Sequence, residues 1–304
     1  MAVTRTVSLI LPAKNEAAGL SRVLPELRAR FPDAEIIVVD DGSSDDTAAI
    51  GRDHGACVVS HRYSLGNGAA IKTGARAATG DVLVFMDADS QHRPGDVQRL
   101  LDALDEGYDM AVGSRDGAGQ ASIARHLGNT VYNRFASWMV NQRIDDLTSG
   151  FRAVRAEKFR EFLYLLPNGF SYPTTITMCF FRNGYSVRYV PVEVDRRIGR
   201  SHLRPLQDGI RFALIIFRIA TLYSPLKLFL PVSLAFFCVG LGYYIFTYVT
   251  VGRFTNMSAL LFATSVVIFM MSLISEQVCQ MRYERREVPR AVRVEPAGDR
   301  AKNI

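Results

Sequence analysis

A chain of 304 residues with 48% hydrophobic and 22% charged side chains is too apolar to stay disordered and long enough for a well-buried core. The formal net charge of +6 is unevenly placed: residues 195–227 hold seven basic against two acidic side chains, and residues 281–304 hold seven against four. The first 194 residues therefore sum to −2, so the basic balance marks collars around an apolar segment and gives no ground for a nucleic-acid partner.

In chain order, short apolar runs at 7–11, 36–39, 56–59, 82–86 and 110–112 read as strands. Helical periodicity fills the gaps near 17–30, 45–54, 68–78 and 94–106. Strands alternating with helices predict an α/β fold, a mostly parallel Rossmann-like sheet covered on both faces. In such sheets ligands bind outside the carboxyl ends of the strands. Neither a GxGxxG after the first strand nor a GxxxxGK[ST] occurs, which disfavours a dinucleotide fold and a P-loop. Further on, 121–142 reads as helix, 145–152 as turn, 174–182 as helix and 187–194 as strand. Segment 206–223 is an apolar-rich helix with Arg211 and Arg218 seven apart, the pattern of a helix lying in a membrane interface.

Residues 228–251 and 257–275 form runs of 24 and 19 with no charge. Each is long enough to cross a hydrocarbon core of about 30 Å as a helix. The loop 252–256 carries one positive charge and the outer flanks many, so both termini are expected on the cytoplasmic side of the inner membrane. The apolar stretch 7–13 runs into Lys14, Asn15 and Glu16 and does not resemble a signal peptide. Cys57, Cys179, Cys238 and Cys279 lack metal-ligand spacing, which fits a reduced cytosolic domain. The expected organisation is a soluble domain at 1–200, an interfacial region at 201–225, a two-span hairpin at 226–280 and a basic tail at 281–304.

The polar residues after the strands carry the chemistry. Asp87 and Asp89, at i and i+2 after a buried strand, point the same way and suit one divalent cation that also binds a diphosphate. Mg²⁺ keeps several waters and needs only one or two protein carboxylates. Asp40 and Asp41 end a second strand, and with Asn15 and Glu16 they gather acids on one edge that repel one another unless a cation or ligand intervenes.

Five short motifs in order, Pro12-Ala13-Lys14-Asn15-Glu16, Asp40-Asp41-Gly42-Ser43, Gly66-Asn67-Gly68-Ala69, Asp87-Ala88-Asp89 and Gly113-Ser114-Arg115, resemble family 2 glycosyltransferases of the GT-A fold. The later Asp146-Leu147-Thr148-Ser149-Gly150-Phe151-Arg152 and the two spans are similar to the dolichyl-phosphate mannose synthase and polyprenyl-phosphate glycosyltransferase branch. The resemblance implies inverting transfer of a hexose from a nucleotide-diphosphate sugar to a polyprenyl phosphate, with Mg²⁺ or Mn²⁺. It implies that Pro12, Ala13, Asn15, Glu16, Asp40, Asp41, Asp87 and Ala88 hold the sugar donor. Asp87 and Asp89, with Gln91 as third ligand, match the metal site. Arg115, Arg125, Asn129, Arg197 and Ser201 match positions that hold the lipid phosphate, and Asp146 an acidic position beside the reaction. Asp89, Asp146 and Arg115 are the candidate catalytic residues. His202 stands where the family's mobile loop usually has Lys. A homo-oligomer, a tetramer in relatives, is implied by resemblance alone.

Two other readings stay open: a processive polysaccharide synthase, disfavoured by only two spans and the lack of a Gln-x-x-Arg-Trp signature, and a silent nucleotide-sugar-binding membrane subunit. Lys72 reads either as a donor-phosphate contact or as a solvated helix lysine. His54 and His61 read as surface or packing residues, Trp138 as an anchor or core residue, and Glu276 as interfacial.

Overall fold

A computed structural model describes residues 5–115, 123–169, 172–193, 217, 221 and 224–284. It divides into two compact units, 1–216 and 217–304.

The first unit is an α/β layer structure. Strands β1 (Val7–Ala13), β2 (Glu35–Asp40), β3 (Cys57–Ser60), β4 (Val82–Phe85), β5 (Met110–Arg115), β6 (Arg152–Arg155) and β7 (Val187–Val192) form one sheet. Helices α1 (Ala17–Arg30), α2 (Thr47–Asp53), α3 (Asn67–Ala77), α4 (Asp96–Asp105), α5 (Ile123–Val140), α6 (Ala156–Arg160) and α7 (Tyr172–Arg182) connect them. The strand order is β3-β2-β1-β4-β6-β5-β7, and β6 alone runs antiparallel to its neighbours β4 and β5.

The expected mostly parallel sheet is present, and each expected strand and helix of the first 115 residues appears within three residues of its expected bounds. Strand β6 is the departure, because Arg152 opens a strand where the sequence suggested only a turn. Its alternation is masked: Phe151, Arg152, Ala153 and Val154 are all fully buried, so no polar face marks the period of two.

The central strands have no polar face either. Leu9 and Leu11 pack with Leu20, Val23, Leu24 and Leu27 of α1 and with Val97, Leu100 and Leu104 of α4. On the opposite face Ile10 meets α3, where a Cβ on Gly74 would lie 2.4 Å from its Cγ2. Burial on both sides keeps the middles of β1 (Leu9–Leu11), β2 (Ile36–Val39) and β4 (Val82–Phe85) apolar, and polar residues cluster at and just beyond their carboxyl ends.

The second unit is a helical hairpin, α8 (Pro225–Val251) and α9 (Asn256–Glu284). Windows of mean hydropathy 1.9 and 2.3, with only 11% and 17% of their residues buried, separate these helices from core helices of a soluble fold. Both are long and apolar enough to cross a membrane. They extend past the expected spans. Pro225 starts α8, where its missing N–H costs nothing. Glu276 does not end α9; its carboxylate accepts the Leu226 N–H at 3.2 Å, at the positive end of α8. Small residues line the seam at sevenfold spacing: Ser233, Gly240 and Thr247 on α8, and Ser258, Ser265 and Ser272 on α9, all buried. Ser233 and Ser265 each donate a hydroxyl to the other's carbonyl at 2.9 Å. The expected interfacial helix at 206–223 and the tail beyond 284 lie outside the described residues, apart from positions 217 and 221.

Candidate active site

Parallel pairing brings the carboxyl ends of β1, β2 and β4 to one edge: Ala13 pairs with Asp40, and Ile10 with Phe85. Pro12, Ala13, Asn15, Glu16, Asp40, Asp41, Asp87 and Asp89 therefore gather there, as the sequence predicts.

The loops after β1 and β2 are laced together. Asn15, at φ 56, accepts the Ser44 N–H on Oδ1 at 2.8 Å and donates its own N–H to Ser43 Oγ at 2.9 Å. Asn is one of the few residues with a side chain that tolerates this left-handed backbone. Asp45 accepts the Ala17 N–H and Thr47 the Glu16 N–H, so the first turn of α1 is capped from the neighbouring loop. Asp40 Oδ1 accepts the Ser43 N–H at 2.9 Å.

Asp41 turns inward. It is 4% exposed, and its carboxylate accepts the Leu65 and Gly66 N–H groups at 2.8 and 2.9 Å and the Ser64 hydroxyl at 2.7 Å. His61 Nδ1 lies 2.8 Å from the same carboxylate. Burial alone raises its pKa, but these donors outweigh burial and hold it below the ordinary carboxylate value. Gly42 beside it has φ +70, and a Cβ there would sit 2.9 Å from the Tyr63 and Ser64 backbone. The Asp41 carboxylate thus ties down the loop 61–66. His61, which reads from sequence as a surface or packing residue, instead pairs its imidazole with this carboxylate and with Thr73 Oγ1.

Asp87-Ala88-Asp89 leaves β4 over helix α1. A Cβ on Gly19 would lie 2.0 Å from the Ala88 carbonyl oxygen, so only glycine permits this approach. Ser90 donates to the Gly19 carbonyl at 3.1 Å and holds φ 59 itself. Ala88 is buried, while Asp87 and Asp89 remain half-exposed on the edge. Asp89 Oδ1 accepts the Gln91 N–H at 3.1 Å, which aligns the second carboxylate with the turn. On the other flank Asp87 lies against Gly150, where a Cβ would be 3.3 Å from Oδ2. That bare backbone and two hard carboxylates suit a hydrated Mg²⁺ or Mn²⁺ completed by phosphate oxygens. Among the described residues no three His, Cys, Asp or Glu converge into a closed cage.

Asp146 is 7% exposed, and its Oδ1 accepts the Thr148 and Ser149 N–H groups at 3.0 and 3.1 Å and the Thr148 hydroxyl at 2.9 Å. It caps the turn that carries Gly150 to Asp87. Beneath that turn Arg152 is wholly buried. Burial lowers its pKa, and Tyr172, Tyr189, Asp146 and Asp87 oppose that fall. Arginine stays charged in such a setting. Gly150 and Arg152 stand in the 146–152 motif but the sequence assigned them no role, and Tyr172 escaped the sequence reading; an arginine inside the apolar run 151–154 was the available signal.

Arg115 ends β5, and Arg125 and Asn129 lie on α5. Their side chains, and Arg197, Ser201 and His202 altogether, fall outside the described residues. Lys72 contacts neither solvent alone nor the edge: its ammonium donates to the Leu166 carbonyl at 3.1 Å and to Asn168 Oδ1. Trp138 is 48% exposed, which removes the core reading.

Comparison with known proteins agrees with this architecture. Residues 8–163 match the glycosyl transferase family 2 domain, and residues 224–281 match the GtrB C-terminal hairpin. Polyprenol monophosphomannose synthase of Mycolicibacterium smegmatis is 32% identical over 216 residues, 66% of this chain and 82% of that protein. Undecaprenyl-phosphate mannosyltransferase of Micrococcus luteus is 30% identical over 212 residues, 65% and 87% of the two chains. Among solved structures, glucosyl-3-phosphoglycerate synthase from Mycobacterium tuberculosis, in complex with Mn²⁺ and UDP-glucose, superposes with a TM-score of 0.53 at 27% identity, covering 69% and 76%. With a GT-A sheet, an Asp-x-Asp turn at its β4 end and an apolar C-terminal hairpin, this chain is a membrane protein that belongs to glycosyl transferase family 2.

Proposed function

We propose that this protein transfers a hexose from a nucleotide-diphosphate sugar, of the GDP-mannose or UDP-glucose type, to a polyprenyl phosphate at the cytoplasmic face of the inner membrane. The observation that carries the reading is the pairing, in one chain, of the Asp87/Asp89 edge with two apolar helices. The first suits a diphosphate donor and the second an acceptor confined to lipid. The two named relatives above act, by their names, on polyprenol or undecaprenyl phosphate.

The chemistry asks little of a base. A phosphate monoester has a second pKa of about 6, so the acceptor already reaches the site as a dianion near neutral pH. Its oxygen attacks C1 of the sugar while the bond from C1 to the diphosphate breaks on the opposite face, which inverts the anomeric centre. Asp87 and Asp89, with Gln91 beside them, would hold Mg²⁺ or Mn²⁺, which neutralises the leaving diphosphate when bound. Asn15, Glu16 and Asp40 border the space for the nucleoside, with the loop 61–66 fixed behind them by Asp41. Arg115 and Arg125, with Asn129, would grip the acceptor phosphate by forked, charge-assisted hydrogen bonds. Arg197 and Ser201 belong to the segment that would close over it.

An acceptor swap tests the reading. Polyprenyl phosphate, the free polyprenol and the polyprenyl diphosphate are offered with one donor. Transfer to the monophosphate alone, giving an inverted anomeric phosphate by NMR, is expected. Transfer to the alcohol would demand a general base and would overturn the mechanism.

A further inference from the structure

Arg152 occupies a position where an apolar side chain would serve a core better. A buried charge is costly unless well compensated, and retaining one is weak evidence for stability. Its hydrogen-bond partners are neutral: Nη1 donates to the Pro173 carbonyl and to Thr177 Oγ1, both at 3.2 Å, and to Met110 Sδ at 3.8 Å, and Nη2 to the Ser149 carbonyl. Arg152 Nε and Ser149 Oγ, both buried, lack hydrogen-bond partners among the described residues. A cluster selected for stability alone would not leave these two polar atoms unsatisfied.

The contacts lead in one direction. Through Nη1 and Nη2 the guanidinium joins the first turn of α7 to the segment that Asp146 caps. Tyr172, at the start of that helix, donates its hydroxyl to the Gly150 carbonyl at 3.2 Å. Gly150 in turn faces both Asp87 oxygens, with the position of its missing Cβ 3.3 and 3.5 Å from them and 3.4 Å from the Tyr172 hydroxyl. The guanidinium thus sets where Gly150 stands, and Gly150 sets how far the Asp87 carboxylate can swing.

We infer that Arg152 is a positioning residue, which holds the 146–150 turn against Asp87 and so pre-forms the cation-facing edge of the site. It touches neither donor nor acceptor. The inference deepens the proposed function, because it rests on Asp87 being a metal ligand.

The test measures Mn²⁺ binding by electron paramagnetic resonance on the full chain in detergent, with no sugar donor present. Arg152→Met is expected to weaken Mn²⁺ about 10-fold or more, the scale of lost outer-shell support. Arg152→Lys is expected to recover part of that loss. Gly150→Ala leaves the guanidinium intact but crowds the carboxylate, and is expected to weaken Mn²⁺ similarly. In turnover, kcat should fall in all three while KM for the acceptor stays within about threefold, since no acceptor contact is altered. Folded Arg152→Met with Mn²⁺ affinity within twofold of wild type would overturn the inference. Should Arg152→Met not fold, Arg152→Lys decides by the same criterion, with Mn²⁺ affinity within twofold of wild type overturning the inference. Wild-type protein that binds no Mn²⁺ would overturn the metal reading as well, whereas wild type and variants that bind equally would sink only the role of Arg152.

Discussion

His61 Nδ1 lies 2.8 Å from Asp41 Oδ1, and its Nε2 lies 2.9 Å from Thr73 Oγ1, so one imidazole joins the end of β2 to helix α3. A carboxylate only accepts, which puts a proton on Nδ1. The loop 61–66 is thereby anchored at both its ends, by His61 at one and by the Leu65 and Gly66 amides at the other. In the proposed function this loop is the wall behind the nucleoside space, and these hydrogen bonds hold it in place.

Asp41→Asn should destabilise the first unit by about 1–3 kcal/mol at neutral pH, the cost of leaving buried donors without their acceptor. The sign with pH is fixed. The folded-state pKa of Asp41 is depressed below its ordinary value of 3.8. Its contribution is therefore full above that value and is lost as pH falls through the folded pKa. Thermal midpoints measured from pH 7 downward should show wild type and variant converging only once the pH falls below 3.8. Parallel curves would show that the carboxylate charge contributes nothing.

Asp89→Asn should cut transfer by about 100-fold or more while leaving the thermal midpoint nearly unchanged, since an inner ligand costs more than outer-shell support. Asp89 is half-exposed on the edge, and Asn keeps its shape and its acceptor oxygen for the Gln91 N–H. Transfer at the wild-type rate, with or without metal, would remove Asp89 from the site.

Arg125→Ala should raise KM for the polyprenyl phosphate about 10-fold or more and leave donor KM nearly unchanged. A charge-assisted hydrogen bond is worth about 1.5–3 kcal/mol, which sets that scale. Equal losses for donor and acceptor would make Arg125 a structural residue.

Gly240→Leu should part the hairpin. A Cβ at Gly240 would lie 3.0 Å from Leu261 Cβ, so a longer side chain forces the helices apart and breaks the Ser233–Ser265 pair. Interhelical hydrogen bonds of this kind average about 0.6 kcal/mol, so the effect comes mainly from packing. Cysteines placed by Ser233→Cys and Ser265→Cys should cross-link readily, and far more slowly with Gly240→Leu added. Unchanged cross-linking would refute the close seam.

Much of the fold was legible because the physics was local. Parallel strands buried on both faces need apolar middles, so 9–11 and 36–39 stood out, and the polar residues following them marked the edge. The Asp-x-Asp turn and the acids at 40 and 41 were readable for the same reason. What escaped was non-local. Strand β6 is inserted between β4 and β5 by the sheet's topology and has no alternation to reveal it. Asp41 read as a donor contact, yet its hydrogen bonds go to residues 61–66, a pairing fixed only when β2 and β3 align. Arg152 lay in plain view inside an apolar run, but its partners at 173 and 177 are brought to it by α7.

The central claim is tested most directly by incorporation of labelled sugar into organic-extractable lipid. Purified protein is given undecaprenyl phosphate and Mg²⁺ or Mn²⁺, with UDP-glucose, GDP-mannose and UDP-N-acetylglucosamine in parallel. Label should enter the lipid from one donor, should need the metal, and should vanish with Asp89→Asn. Protein that binds Mn²⁺ and nucleotide yet labels no lipid across a widened donor panel would contradict the account and identify a silent nucleotide-sugar-binding subunit.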